Sequence, residues 1–92
     1  MSHYAAKIDQ NQPIIIEALE AAGAKVLNLS RLGGGVPDLL VTVGQRFSFA
    51  EVKYGREQLL PAQEDFAKDW PVRVLRTPED AIALVTALKA RA

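Results

Sequence analysis

Gly33-Gly34-Gly35-Val36-Pro37-Asp38, the run Leu39-Leu40-Val41-Thr42-Val43, then Phe47-Ser48-Phe49-Ala50-Glu51-Val52-Lys53 and Leu60-Pro61-Ala62-Gln63 form the stretch on which the fold turns. Asp38 to Val43 is short, branched and apolar, the pattern of a buried strand. Gly44-Gln45-Arg46 is a compact turn, and Phe47 to Lys53 is a second strand. Two such runs separated by about three residues predict an antiparallel hairpin. Side chains alternate along a strand, so Phe47, Phe49, Glu51 and Lys53 share one face and Ser48, Ala50 and Val52 the other. The hairpin brings Asp38, at the start of its first strand, against Glu51 and Lys53 at the end of its second.

Two carboxylates and one ammonium group at one end of a sheet point to phosphodiester chemistry. Mg²⁺ takes carboxylate oxygens, keeps several waters and is typically held by one or two acids plus phosphate. Such a metal stabilises charge in the transition state and lowers the pKa of a bound water. A lysine beside it orients or helps to deprotonate that water, or neutralises charge on the phosphate. A lysine buried next to two acids is also expensive to keep for stability alone. Taken singly, each residue has an ordinary reading. Asp38 after a proline serves as a turn residue or cap. Glu51 and Lys53 suit the solvated face of an edge strand.

Pro37-Asp38, twelve intervening residues, and Glu51-Val52-Lys53 resemble the PD-(D/E)xK nuclease signature. With Gly35-Val36 before them and Leu60-Pro61-Ala62-Gln63 after, the set is similar to the VRR-NUC branch, in its minimal stand-alone phage or bacterial type. That branch carries a downstream Leu-(Ser/Thr)-Pro-x-Gln element, and the resemblance runs over roughly residues 9 to 85. Leu60 departs from it, standing where the branch has Ser or Thr and removing a side-chain N-cap. The resemblance implies a restriction-endonuclease-like core and hydrolysis of DNA by homodimers acting on branched or junction DNA. It implies Mg²⁺ as cofactor, with Mn²⁺ able to substitute. Asp38 and Glu51 would be its ligands and the Val52 carbonyl a third. Lys53 would assist the attacking water, and Gln63 would position a water or a phosphate. Nucleases of this class often carry an acid on the first helix. Gln12 falls at that position, as an amide that either hydrogen-bonds a metal-bound water or caps the helix start.

The chain has 92 residues, the length of one domain, and 49% of them are hydrophobic, enough for one modest core. A domain this small is marginal by surface-to-volume scaling, so oligomerisation is a natural supplement. It has no cysteine, which excludes disulfides and thiolate metal sites. Lys plus Arg and Asp plus Glu are 11 each, giving zero net charge. Autonomous DNA binders usually show a basic excess. The balance is met if a dimer gathers two basic patches or a metal offsets the carboxylates. It also keeps open a non-catalytic nucleic-acid-binding or assembly module, and a subunit active only with a partner. No apolar leader and no membrane-length run is present, so a soluble, cytoplasmic protein is expected. No nucleophile–base pair or small-molecule cofactor loop appears.

Along the chain, Asp9 is a candidate N-cap for a helix over 10–22, with Pro13 in its first turn and Gly23 at its end. Gln12, Ile15, Ile16, Leu19 and Ala22 form its inward face and Glu17 and Glu20 lie away from it. His3, the one histidine, reads as solvent-exposed. Residues 25–29 form a strand, and 30–35 a flexible loop in which Arg31 is either a phosphate contact or an ordinary surface arginine. Tyr54 and Arg56 follow Lys53 and suit a nucleic-acid backbone. Pro61 opens a helix to Asp69. Gln63 sits in its first turn, facing the site or solvent, and Phe66 and Trp70 pack inward, Trp70 alternatively against a dimer partner. Residues 72–75 are a last strand. Thr77 caps a final helix to about Ala90 that turns Ile82, Val85 and Leu88 inward. The order predicts an α/β domain with a small mixed sheet flanked by helices.

Overall fold

The computed structural model describes residues 3–90, and side chains from Asn11 to Ala90. The elements are α1 His3–Ala21, β1 Lys25–Asn28, β2 Leu39–Val43, β3 Arg46–Val52, α2 Pro61–Asp69, β4 Val72–Leu75 and α3 Pro78–Ala90. The sheet order is β1-β2-β3-β4. The first three strands are antiparallel neighbours, and β4 joins β3 in parallel after the crossover through α2.

The hairpin closes more tightly than the sequence suggests. Arg46 belongs to β3, so the loop is only Gly44-Gln45. Gly44 has φ 63°, the positive value a two-residue hairpin loop needs to match the twist of its strands. The register pairs Leu39 with Ala50 and Val41 with Ser48, while Val52 pairs with Leu75. Those positions point to one face, where Ile15 and Leu19 of α1 and Ala81, Leu84, Val85 and Leu88 of α3 complete a buried cluster. The inward stripe of α3 therefore runs at i, i+3, i+4, i+7 from Ala81. Ile82, expected inside, is half-exposed because it lies one residue out of that phase. The α3 start is capped reciprocally: Asp80 N–H donates to Thr77 Oγ1 at 3.1 Å, and Asp80 Oδ2 accepts from Thr77 N at 3.2 Å.

The other face of the sheet is only partly covered. Register aligns Leu27, Leu40, Phe49 and Val72 in one row across all four strands. Above it, Phe66 of α2 and Trp70, the C-cap of that helix, meet Phe49 edge-on, with ring centroids 5.2 and 6.0 Å away. No α2 residue is buried. Trp70, expected inside, is 53% exposed. The helix rests on the sheet through one aromatic cluster instead of inserting into the core.

The first helix also departs from expectation. It begins at His3, so Asp9 lies within it and Pro13 is an interior proline. Pro13 is exposed and leaves out one i→i−4 hydrogen bond. The side chains of His3 and Asp9, and the exposure and cap foreseen for them, lie outside the described residues. No helix among the described residues is long and apolar enough to cross a membrane.

Candidate active site

The antiparallel register that pairs Leu39 with Ala50 leaves Asp38 opposite Glu51 at the end of the hairpin. Each closes the ladder for the other. Val52 N–H donates to Asp38 Oδ2 at 2.9 Å, and Asp38 N–H donates to Glu51 Oε1 at 3.3 Å. Pro37 is fully buried and Leu29 N–H donates to the Asp38 carbonyl at 2.7 Å, so the aspartate is held on both sides. Glu51 and Lys53 are nearly inaccessible, at 3% and 5% exposure. Lys53 Nζ lies 3.9 Å from Glu51 Oε2. This is the juxtaposition read from the hairpin, and it is buried rather than a solvated edge.

Gln63 joins the pair from α2. Its Nε2 donates to Glu51 Oε2 at 2.9 Å while its Oε1 accepts from Leu60 N–H at 2.8 Å. Leu60 has no side-chain cap to offer, and Gln63 supplies only the returning half of a capping box, accepting from the Leu60 main chain. Of the two alternatives, facing the site or facing solvent, the amide takes the first, on Glu51. Gly35 explains how α2 comes so close. It has φ 86°, and a side chain on it would collide with the Ala62 carbonyl, so the glycine loop packs directly against the first turn of α2.

Asp38, Glu51, Val52, Lys53 and Gln63 line one cavity of about 270 Å³, with Glu57 and Leu60 at its rim. Burial pushes the Glu51 carboxyl up to about 7 from its ordinary 4.5. The negative charge of Asp38 and a hydrogen bond with it add to the rise, and the ammonium of Lys53 opposes it without prevailing. The oxygen ligands the cavity offers are the two carboxylates of Asp38 and Glu51. Among the described residues no three His, Cys, Asp or Glu side chains converge on a metal. This set does not fit a closed zinc centre. It fits a hard divalent cation that keeps most of its waters.

The remaining expected residues are placed differently. Gln12 is half-buried but lines a separate groove of about 600 Å³ with Glu17, Glu20, Asn28 and Ser30. Among the described side chains of α1, its neighbour Asn11 reaches the end of β3, where its Nδ2 donates to the Lys53 carbonyl at 2.7 Å. The helix phase carried the signal, since Asn11 stands one turn before Ile15 and two before Leu19, the buried stripe. Glu57 was also missed. Its Oε1 accepts from Tyr54 N–H at 3.2 Å, which folds the turn after Lys53 and brings its side chain to the rim. Tyr54 and Arg56 are exposed on that turn. Arg31 is exposed on the loop before the glycines.

No protein-family model matches the chain, and no curated protein matches it. A solved structure described as a VRR_NUC domain does. It is 32% identical, the match covers 87% of this chain and 95% of that one, and the TM-score is 0.66.

Proposed function

Because the chain belongs to the VRR_NUC domain family and has its restriction-endonuclease-like α/β fold, we propose that it is a divalent-metal-dependent nuclease that hydrolyses DNA phosphodiester bonds. The observation that carries this reading is the convergence of half-buried Asp38 with buried Glu51 and Lys53, braced by Gln63, around one small cavity. Asp38 and Glu51, with the Val52 carbonyl, would hold Mg²⁺, and Mn²⁺ would substitute. When bound, that cation supplies positive charge for the phosphoryl oxygens and acidity to a coordinated water. Lys53, on a buried stem, orients the attacking water and balances charge as it is deprotonated. Gln63 holds the Glu51 carboxylate in one rotamer and so keeps the ligand pair preorganised. Arg31, Tyr54 and Arg56, exposed on the two loops named above, would contact the DNA backbone.

The open sheet face supports a homodimer, and such a dimer would act on branched or junction DNA. Leu27, Phe47 and Trp70 are each more than half exposed there, beside the row through Leu40, Phe49 and Val72. A second copy would cover it and give two sites for two strands. The zero net charge favours a second reading, a binding module or a subunit active only with a partner.

The test is cleavage of labelled single strand, duplex, flap and four-way junction with Mg²⁺, Mn²⁺ or chelator. Metal-dependent cutting biased to flap or junction is expected. Failure to cut any of them, with or without metal, moves the assignment to the second reading.

A further inference from the structure

The chain leaves the sheet at Lys53. Its N–H still bonds the Leu75 carbonyl at 3.1 Å, but β3 has ended and its own carbonyl has no ladder partner. A buried carbonyl without a donor is costly. The donor comes from the far end of the sequence. Asn11, only 8% exposed, places Nδ2 at 2.7 Å from the Lys53 carbonyl and 3.5 Å from the Arg76 carbonyl. Arg76 then reaches forward. One guanidinium nitrogen, NH1, donates to the Gly55 carbonyl at 2.9 Å and the Glu57 carbonyl at 2.7 Å. Arg76 is itself fixed, since its N–H donates to Asp80 Oδ2 at 2.8 Å.

Two segments distant in sequence, those of Asn11 and Arg76, therefore converge on the turn from Lys53 to Glu57. We propose that Asn11 and Arg76 are positioning residues that brace this turn, and through it the Lys53 ammonium and the Glu57 carboxylate at the cavity. Its consequence for catalysis rests on the nuclease reading above. The brace matters because Lys53 Nζ stands 3.9 Å from Glu51, beyond hydrogen-bond distance, so no direct bond to that carboxylate locks the ammonium. Its place is set by its backbone. The chemistry also explains the residue type. Asn11 faces two carbonyl oxygens, and only a donor is tolerated there; a carboxylate would meet two acceptors with nothing to give. Among the described side chains, the first helix thus contributes a neutral amide to the main chain behind the site.

The test compares Asn11→Asp, Asn11→Ala and Arg76→Lys with wild type and with Val85→Ala, a core variant far from the turn. Amide hydrogen exchange is read at Lys53, Glu57 and the α3 core, and kcat and KM are measured on the best substrate at a temperature where every variant is folded. The brace predicts exchange about tenfold faster at Lys53 and Glu57 in the Asn11 and Arg76 variants, with α3 unchanged. It predicts kcat down about 100-fold for Asn11→Asp, with KM within about twofold. Val85→Ala keeps its kcat. Unchanged exchange at the turn, faster exchange spread evenly through α3, or wild-type kcat in Asn11→Asp would overturn the proposal. If wild type cuts no DNA, the nuclease reading fails and the exchange pattern alone decides the brace.

Discussion

Gln63 donates to Glu51 Oε2 at 2.9 Å with the same amide whose oxygen accepts from Leu60 N–H at 2.8 Å. Leu60 N–H is only a donor, so the amide oxygen must face it and the nitrogen must face Glu51. One side chain thus ties the start of α2 to a carboxylate of the candidate site. Gln63→Ala is expected to cost about 1–2 kcal/mol of stability and about tenfold in kcat, through the lost cap and the freed carboxylate. Gln63→Glu should be worse, because it sets a second negative charge against Glu51. Urea unfolding and single-turnover cleavage check both, and equal behaviour of the two variants would argue against the Glu51 contact.

The raised Glu51 pKa makes a pH prediction with a definite sign. Folded Glu51 holds its proton to about pH 7, against 4.5 ordinarily, so the native state binds more protons across that window. Its contribution to stability is present at low pH and is lost as pH rises towards 7. From about pH 5.5 to about pH 8 the metal-free protein should lose about 2 kcal/mol on this account. Glu51→Gln should flatten the profile. Mg²⁺, which needs the ionised pair, should raise Tm at pH 8 and hardly at pH 5.5. Thermal unfolding at the two pH values, with and without metal, reads all of this.

Gly35 combines φ 86° with direct contact against the Ala62 carbonyl. Gly35→Ala is expected to destabilise by about 2 kcal/mol or more, since both the backbone and the neighbour resist the methyl group. Activity should fall further than stability alone explains, because α2 carries Gln63. Gly33 and Gly34 also have positive φ, 65° and 64°, but open space where a methyl group would sit, so alanine there should cost about 1 kcal/mol of backbone strain alone and leave the Gln63–Glu51 bond intact. Urea unfolding of the three alanine variants, with cleavage rates measured alongside, separates these outcomes.

Phe47 and Leu27 are 60% and 57% exposed on the open sheet face. Sedimentation should find wild type as a dimer, and Phe47→Lys or Leu27→Glu as a monomer that retains its fold. A monomeric wild type would remove the dimer from the account.

The hairpin and its site were legible because they are local. Alternation along β3 and a glycine turn determine which side chains meet, and Asp38, Glu51 and Lys53 follow from register alone. In α1 the buried stripe through Ile15 and Leu19 was legible, but the start of the helix and the first residue of that stripe were misread. Pro13 reads as a first-turn residue, but the helix runs through it from His3, and the inward stripe falls on Asn11 rather than Gln12. The spacing of Phe66 and Trp70 looks like a helix face seeking a core. Whether it finds one depends on a sheet face that α1 and α3 leave open, a relationship between distant segments. The role of Arg76 was hidden for the same reason, since its partners at Gly55 and Glu57 lie a whole crossover away.

The most direct test is single-turnover cleavage of a labelled four-way junction in Mg²⁺ by wild type and Lys53→Ala, prepared side by side. Lys53 is buried at the cavity 3.9 Å from Glu51, so its loss should reduce the rate by about 100-fold or more while the variant still binds DNA. Equal rates in the two preparations, or no cleavage in either, would contradict the assignment of Asp38, Glu51 and Lys53 as a nuclease centre.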